Sequence, residues 1–281
     1  MNLTAHKLNN WLITASMYTV LIIISFFMIL PFVWMLSTSF KFPDEVFGYP
    51  PRIIPERPTL INYQFLFQEK NLMRVLLNTF IVAGVSTVVR LFFCSLGGYA
   101  FAKFKFPGRN ILFGFILATM IIPGAVTLIP VYIIMRNLSM IDTLWALIIP
   151  GAANAFGIFF MRQYITSVHD ELLDAARIDG ATEFGIYRRV IVPIIAPGLI
   201  SIGLIFFMGS WNDYFGPLVF LKSPENFTLP LAIASFGGAV GLTNYNGQMA
   251  MAVVSIIPLL IIFLVFQRRF VDGITAGAVK G

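Results

Sequence analysis

Glu171-Leu-Leu-Asp-Ala-Ala-Arg-Ile-Asp-Gly-Ala-Thr-Glu-Phe-Gly185 is a polar, helix-prone stretch in a chain that has little else of the kind. The twenty residues from Asp170 to Arg189 hold eight of the 32 Asp, Glu, Lys and Arg residues. Long apolar runs lie on both sides. Leu172, Leu173, Ala175, Ala176 and Ile178 are good helix formers, and Asp170 and Glu171 stand where a helix dipole favours acids. Asp179-Gly180 breaks that helix, because glycine readily takes the left-handed conformation that ends one. Thr182 can cap a second helix from Glu183 to Val192. The stretch therefore predicts a helix, a turn and a second helix outside any bilayer, with Ala175 and Ala176 forming a small, flat patch. Two readings stand: a seat for a soluble partner, or an ordinary solvated loop.

The rest of the chain puts this stretch beside a membrane. Of 281 residues, 58% are hydrophobic and 11% charged, and the mean hydropathy is +0.85. A soluble domain carries about 25% charged residues. A spanning helix needs about 20 mainly apolar residues, and six stretches qualify: 11–36, 75–102, 111–135, 144–161, 190–211 and 249–266. The first is too long for a signal-peptide core and reads as a retained span. The expected fold is thus a single all-α transmembrane domain over 1–281, with six transmembrane helices.

Charge sets the orientation. The segments 1–10, 103–110, 162–189 and 267–281 share one side and hold eleven Lys and Arg residues; the longer loops opposite hold seven, and Arg90 is the nineteenth. By the positive-inside rule the N and C termini and the loop at 162–189 are cytoplasmic. The outer loop at 37–74 is Pro-rich, so its first half reads as irregular and extended, and 227–240 is too short to span. Pro123, Pro130, Pro193, Pro197 and Pro258 interrupt the expected spans. Each removes a backbone hydrogen bond, which either shapes packing or opens a pathway.

Catalytic signatures are missing. No Walker A sequence, Gly-x-Ser-x-Gly, His-Glu-x-x-His or Cys/His cluster occurs, and the single cysteine, Cys94, excludes an internal disulfide. The chain reads as a non-enzyme without a cofactor or metal, and uphill transport would need energy from elsewhere. Arg90 is the one charge well inside an expected span, a functional-site candidate by default and otherwise a structural partner. Asn154, Trp211, Asn212 and Asp213 are further candidates for a translocation path. For these, a sugar contact competes with loop anchoring and interfacial aromatic placement.

Asp174-Ala-Ala-Arg-Ile-Asp-Gly180-Ala with Pro193 thirteen residues after the glycine resembles the EAA loop of ABC-importer permeases. The chain departs from that pattern in having Asp174 for Glu, Val190 for Ile and Val192 for Leu. Further matches run in order along nearly the whole chain. They are Gly97-Gly-Tyr-Ala-Phe-Ala-Lys-Phe-Lys-Phe-Pro-Gly-Arg109, Ile122-Pro-Gly124, Asn154-Ala-Phe-Gly157, Gly209-Ser-Trp-Asn-Asp213 and Thr275-Ala-Gly-Ala-Val-Lys-Gly281. Together they are similar to the carbohydrate-uptake, maltose-importer-like branch.

That resemblance implies the type I importer permease fold and a coupling helix at 170–193. It implies ATPase contacts by Glu171, Asp174, Ala175, Ala176, Asp179, Gly180, Ala181 and Pro193, and a second contact by Phe270, Gly277 and Lys280 in the tail. The implied partners are a different permease subunit, two copies of a cytoplasmic ABC ATPase that bind ATP and Mg, and an extracytoplasmic solute-binding protein. The place implied is a bacterial or archaeal cytoplasmic membrane. The implied cargo is a sugar or oligosaccharide, with a polyol or glycerol-phosphate type solute as the alternative. A secondary transporter, which usually shows more ionisable residues in its spans, is the remaining reading.

Overall fold

The computed structural model describes the backbone of residues 2–68, 70–236 and 244–278, and the side chains of 11–68, 70–236 and 244–267. Among these residues every regular element is helical. Two compact units emerge, Met1–Asn71 with Ile233–Ile256, and Leu72–Ala232 with Ile257–Gly281.

In the first unit the helix Asn2–Ser39 exposes large apolar side chains all round from Trp11 onward. A helix apolar on every face belongs in lipid or in a larger assembly. Just past its end Lys41 is buried, with its Nζ 4.2 Å from the Trp34 ring centroid and donating to the Arg52 carbonyl at 2.6 Å. Asn62 and Asn246 donate to the Lys41 carbonyl at 2.9 and 2.6 Å. The Pro-rich first half of the loop at 37–74 is irregular as expected, apart from the short helix Pro43–Val46, and its second half carries the helix Ile61–Gln68.

The spine of the second unit is the helix Leu72–Lys103. Its buried positions include Val75, Asn78, Thr79, Val82, Ala83, Ser86, Cys94, Ser95, Gly98 and Tyr99, a stripe at helical spacing. The stripe is mostly small or polar, whereas Met73, Leu77, Val88 and Phe92 face outward. Lipid gives no hydrophobic drive for helices to associate, so small residues that allow close approach take the inside. Among the glycines of this helix Gly98 meets its neighbours most closely: a Cβ there would lie 2.7 Å from Met161 Cβ and 2.8 Å from Arg162 N. One at Gly157 would lie 2.6 Å from Cys94 Sγ.

The expected spans are realised unequally. Among the described residues three helices are long and apolar enough to cross a membrane, in Trp11–Ser39, Leu72–Lys103 and Tyr245–Gln267. Two more crossings exist if bent pairs count as one span each. Arg109–Thr119 and Gly124–Asn137 meet at 99°, where Pro123 takes an extended conformation. Glu183–Ile194 and Ala196–Trp211 meet at 80°, between Pro193 and Pro197. The stretch 144–161 is not one helix. It forms Trp145–Ile148 and part of Ala155–Thr166, separated by a turn through Pro150 and Gly151. Hydropathy averages over that turn and cannot register it. Of the short outer segment, Leu229–Ser235 is helical, and residues 237–240 lie outside the described residues.

Candidate functional site

The polar stretch folds as a helix, a turn and a second helix. Asp170–Ile178 has its acids in the first turn and Arg177 in the last, as the helix dipole favours. It ends in a Schellman motif: the Ala181 N–H donates to the Ala176 carbonyl and the Gly180 N–H to that of Arg177, both at 3.0 Å. Gly180 has φ +78°, so a side chain there would be strained. Thr182 then caps the next helix, its Oγ1 accepting from the Gly185 N–H at 3.1 Å.

Leu173 anchors this turn, 1% exposed in a core that includes Met161, Ile165, Ile186, Tyr187 and Ile191. Ala176 and Ala181 pack against the same core. The expected flat patch of Ala175 and Ala176 is therefore split. Successive helical residues point about 100° apart, so Ala175 faces outward while Ala176 faces in. What the outer face does present is Leu172, Ala175 and Ile178, three residues apart, with Phe184 beyond the turn. Ile178 is 86% exposed. Glu171, Asp174 and Asp179 ring these side chains on the exposed surface, and Pro193 is also exposed.

Ion pairs stiffen the turn. Arg177 Nη1 reaches Asp174 Oδ1 at 2.8 Å, and its Nε reaches Glu183 Oε1 at 2.9 Å across the glycine. Glu183 first, then Asp174, push the Arg177 guanidinium further above its already high range. The helix Leu72–Lys103 supplies the other supports. Lys103 Nζ donates to Asp170 Oδ1 at 2.6 Å and to the Val168 carbonyl. That hydrogen bond and its charge hold the Asp170 carboxyl below the usual carboxylate range. Tyr99 donates its hydroxyl to Glu183 Oε2 at 3.0 Å, and Ser95 shares a buried hydrogen bond of 2.6 Å with the Tyr187 hydroxyl. Sequence reasoning missed these three supports. Their signal was a polar residue at every fourth position in the last turns of an apolar helix.

The other candidates share no direct hydrogen bond with one another among the described contacts, although Arg90 lies within charge range of Asp213. Arg90 Nε donates to the Gly151 carbonyl at 3.0 Å and its Nη1 to Ser210 Oγ at 3.2 Å. Asn154 caps the helix Ala155–Thr166, its side chain accepting from the Gly157 N–H. Trp211 is 1% exposed, packed on the rings of Phe80 and Phe207, and has no face to offer a sugar. Asn212 donates to the Met208 carbonyl, and Asp213 accepts from the Gly216 N–H. Phe270 and Gly277 fall in the helix Tyr245–Ala278, but their side chains, and all of Lys280, lie outside the described residues. Among the described residues no group of three His, Cys, Asp or Glu could hold a metal ion.

A polar knot at 142 and 220–226 was also missed. Asp142, at φ +63°, accepts at 2.9 Å from the backbone N–H groups of both Lys222 and Ser223, and accepts the Ser223 hydroxyl. Its only cue in sequence was an acid in a short polar turn.

Comparison with known proteins locates this geometry in a group. Residues 94–276 match the profile of the family described as "Binding-protein-dependent transport system inner membrane component". The arabinooligosaccharides transport system permease protein AraQ of Bacillus subtilis is 35% identical over 274 residues, 95% of this chain and 97% of that one. The trehalose transport system permease protein SugB of Mycobacterium tuberculosis is 33% identical, covering 90% of this chain and 93% of that one. The crystal structure of a bacterial ABC transporter involved in import of the acidic polysaccharide alginate contains a chain with TM-score 0.82 and 26% identity. That match covers 92% of this chain and 96% of the other.

Proposed function

The chain belongs to the family of binding-protein-dependent transport system inner membrane components, and we propose that it is one permease subunit of an ATP-driven importer for a sugar or oligosaccharide. The observation that carries the reading is the loop at 170–186. It is a stiff turn whose exposed face is apolar at Leu172, Ile178 and Phe184, while its opposite face is locked into the chain's own core. An apolar patch rimmed by charge marks a surface that another protein covers. The resemblance of this loop to the EAA loop of ABC-importer permeases implies an ABC ATPase as that protein. The chain itself serves transport and carries no catalytic step, and it needs no cofactor; ATP and Mg belong to the ATPase.

The full assembly would join this subunit to a second, different permease, two ATPase copies and an extracytoplasmic binding protein. One structure of similar fold, a bacterial alginate ABC transporter, is in complex with an alginate pentasaccharide-bound periplasmic protein. Six spans would fit the apolar stretches of the sequence, with 144–161 crossing as two helical pieces, and the charge asymmetry supports cytoplasmic termini. Closure of the ATPase pair would carry the 170–189 element as a lever, opening the path outward to accept sugar, and hydrolysis would return it inward. Several relatives are named for oligosaccharide or disaccharide uptake, which favours that cargo. One named for sulfoquinovosyl glycerol keeps polar glycerol-bearing solutes as the second reading.

The test is association with the cognate ATPase after Ile178→Arg or Leu172→Asp. Both side chains are exposed, so each change should leave the subunit folded. Retained ATPase binding in both would sink the assignment of this loop as the docking site.

A further inference from the structure

A loop that receives force must pass it on, and the chain offers two routes. The covalent one runs from Glu183–Ile186 through a π-helical turn, Tyr187–Ile191, into the helix Ala196–Trp211. That route is jointed. It bends by 80°, and Pro193 and Pro197 each lack the N–H that would stiffen it. A π turn within a helix is itself a weak point in its ladder.

The second route is noncovalent and better braced. Ser95, Tyr99 and Lys103 stand four residues apart, so they share one face of the helix Leu72–Lys103. Each holds a different part of the loop: Ser95 the Tyr187 hydroxyl, Tyr99 the Glu183 carboxylate, and Lys103 Asp170 with the Val168 carbonyl. The rungs thus bracket the loop from its entry to its second helix. Tyr99 and Tyr187 also pack ring against ring, with centroids 5.9 Å apart. Between the rungs, Gly98 lets the backbone of Met161 and Arg162 close in on the helix.

The far end of this helix is tied as firmly. Asn78 donates to the carbonyls of Glu225 and Phe227 at 2.8 and 3.1 Å, and Arg74 donates to Glu225 at 2.8 Å. Thr79 Oγ1 accepts the Leu229 N–H at 2.8 Å. From Lys103 to Thr79 the rise is about 36 Å, the thickness of a bilayer core and more.

From this geometry we infer that Ser95, Tyr99 and Lys103 are positioning residues of transport. They lock the ATPase-docking loop to the helix Leu72–Lys103, which carries the loop's displacement across the membrane to the 224–229 segment. The helix that follows the loop in sequence is the passive side of the joint. The inference rests on the proposed docking of an ATPase to the loop.

The test uses the complete importer in proteoliposomes with its ATPase and solute-loaded binding protein. Tyr99→Phe and Lys103→Met, singly and combined, remove rungs and leave the exposed docking face untouched. Expected are normal ATPase association and about a fivefold or larger rise in ATP consumed per solute imported, the lower end of ordinary coupling between sites. Lys103→Arg, which keeps the charge on Asp170, should restore most of the coupling. A combined variant with the wild-type ratio of ATP to solute overturns the inference. Should that variant fail to assemble, Tyr99→Phe alone, which removes one oxygen, decides it by the same ratio. Ile178→Arg runs in parallel: if it leaves ATPase association intact, the docking reading itself is wrong, whatever the rungs do.

Discussion

Arg177 Nε stands 2.9 Å from Glu183 Oε1, so a single guanidinium joins the last turn of one loop helix to the first turn of the next. The same group reaches back to Asp174 at 2.8 Å. Both pairs are largely exposed, and exposed pairs contribute little to global stability. Their effect is local. Arg177→Met should leave thermal unfolding of the subunit almost unchanged while hydrogen exchange at the amides of 178–184 becomes severalfold faster. Unchanged exchange in that segment would show that the Schellman motif alone holds the turn.

Gly180 separates backbone strain from packing. Its φ is +78°, and a Cβ there would meet nothing within 4 Å. Gly180→Ala therefore costs only the left-handed conformation, about 1 kcal/mol. Gly180→Asn, which tolerates that region better, should cost less. The expected order of loop protection in hydrogen exchange is Gly, then Asn, then Ala. An Ala variant as well protected as the native loop would mean that the turn has another low-energy form.

Gly98 tests the opposite case. A Cβ there would fall 2.7 Å from Met161 Cβ and 2.8 Å from a backbone nitrogen, which cannot swing away as a side-chain tip can. Gly98→Ala must push the helices Leu72–Lys103 and Ala155–Thr166 apart, at about 1–3 kcal/mol. Gly84, on the same helix with open space around it, is the control. In detergent, Gly98→Ala should lower the unfolding temperature by several degrees and Gly84→Ala should not. Equal effects would point to helix propensity rather than close packing.

The contrast between these glycines also shows what the sequence could convey. Gly180 was legible because the signal is local: an apolar-periodic run, an Asp-Gly break and a Thr cap within a dozen residues. The helices of 11–36, 75–102 and 249–266 were legible because apolar composition decides them. Gly98 looked like any small residue in a span, since its role depends on Met161 arriving from another helix. Tyr99 and Glu183 lie 84 positions apart, and the four-residue spacing of Ser95, Tyr99 and Lys103 marks a face of the helix without saying what meets it. The split of Ala175 from Ala176 depends on which side of the first loop helix meets the core, and Leu173 decides that. The turn at 149–154 was hidden because Pro150 and Gly151 sit among residues apolar enough to keep the average high.

Asp142 gives the pH prediction. The Ser223 hydroxyl first, and then the backbone N–H groups of Lys222 and Ser223, hold its carboxyl well below the usual carboxylate range. A depressed folded value means that the ionised form stabilises the knot. That contribution is complete above the ordinary value of 3.8 and is lost only as the pH falls through the lower, folded value. Protection of the Lys222 and Ser223 amides should therefore stay flat from about pH 5 to about pH 8 after correction for intrinsic exchange. Asp142→Asn keeps the shape, suits the φ of +63° at least as well and can keep an oxygen toward the two amides, while it removes the charge and turns the acceptor of the Ser223 hydroxyl into a donor that this hydroxyl can meet by accepting. Hydrogen bonds to an ionised acceptor are roughly twice as strong as neutral ones, and the variant should exchange these two amides about tenfold faster at neutral pH. Equal protection in the two proteins would assign the knot to loop geometry, with the carboxylate charge contributing nothing.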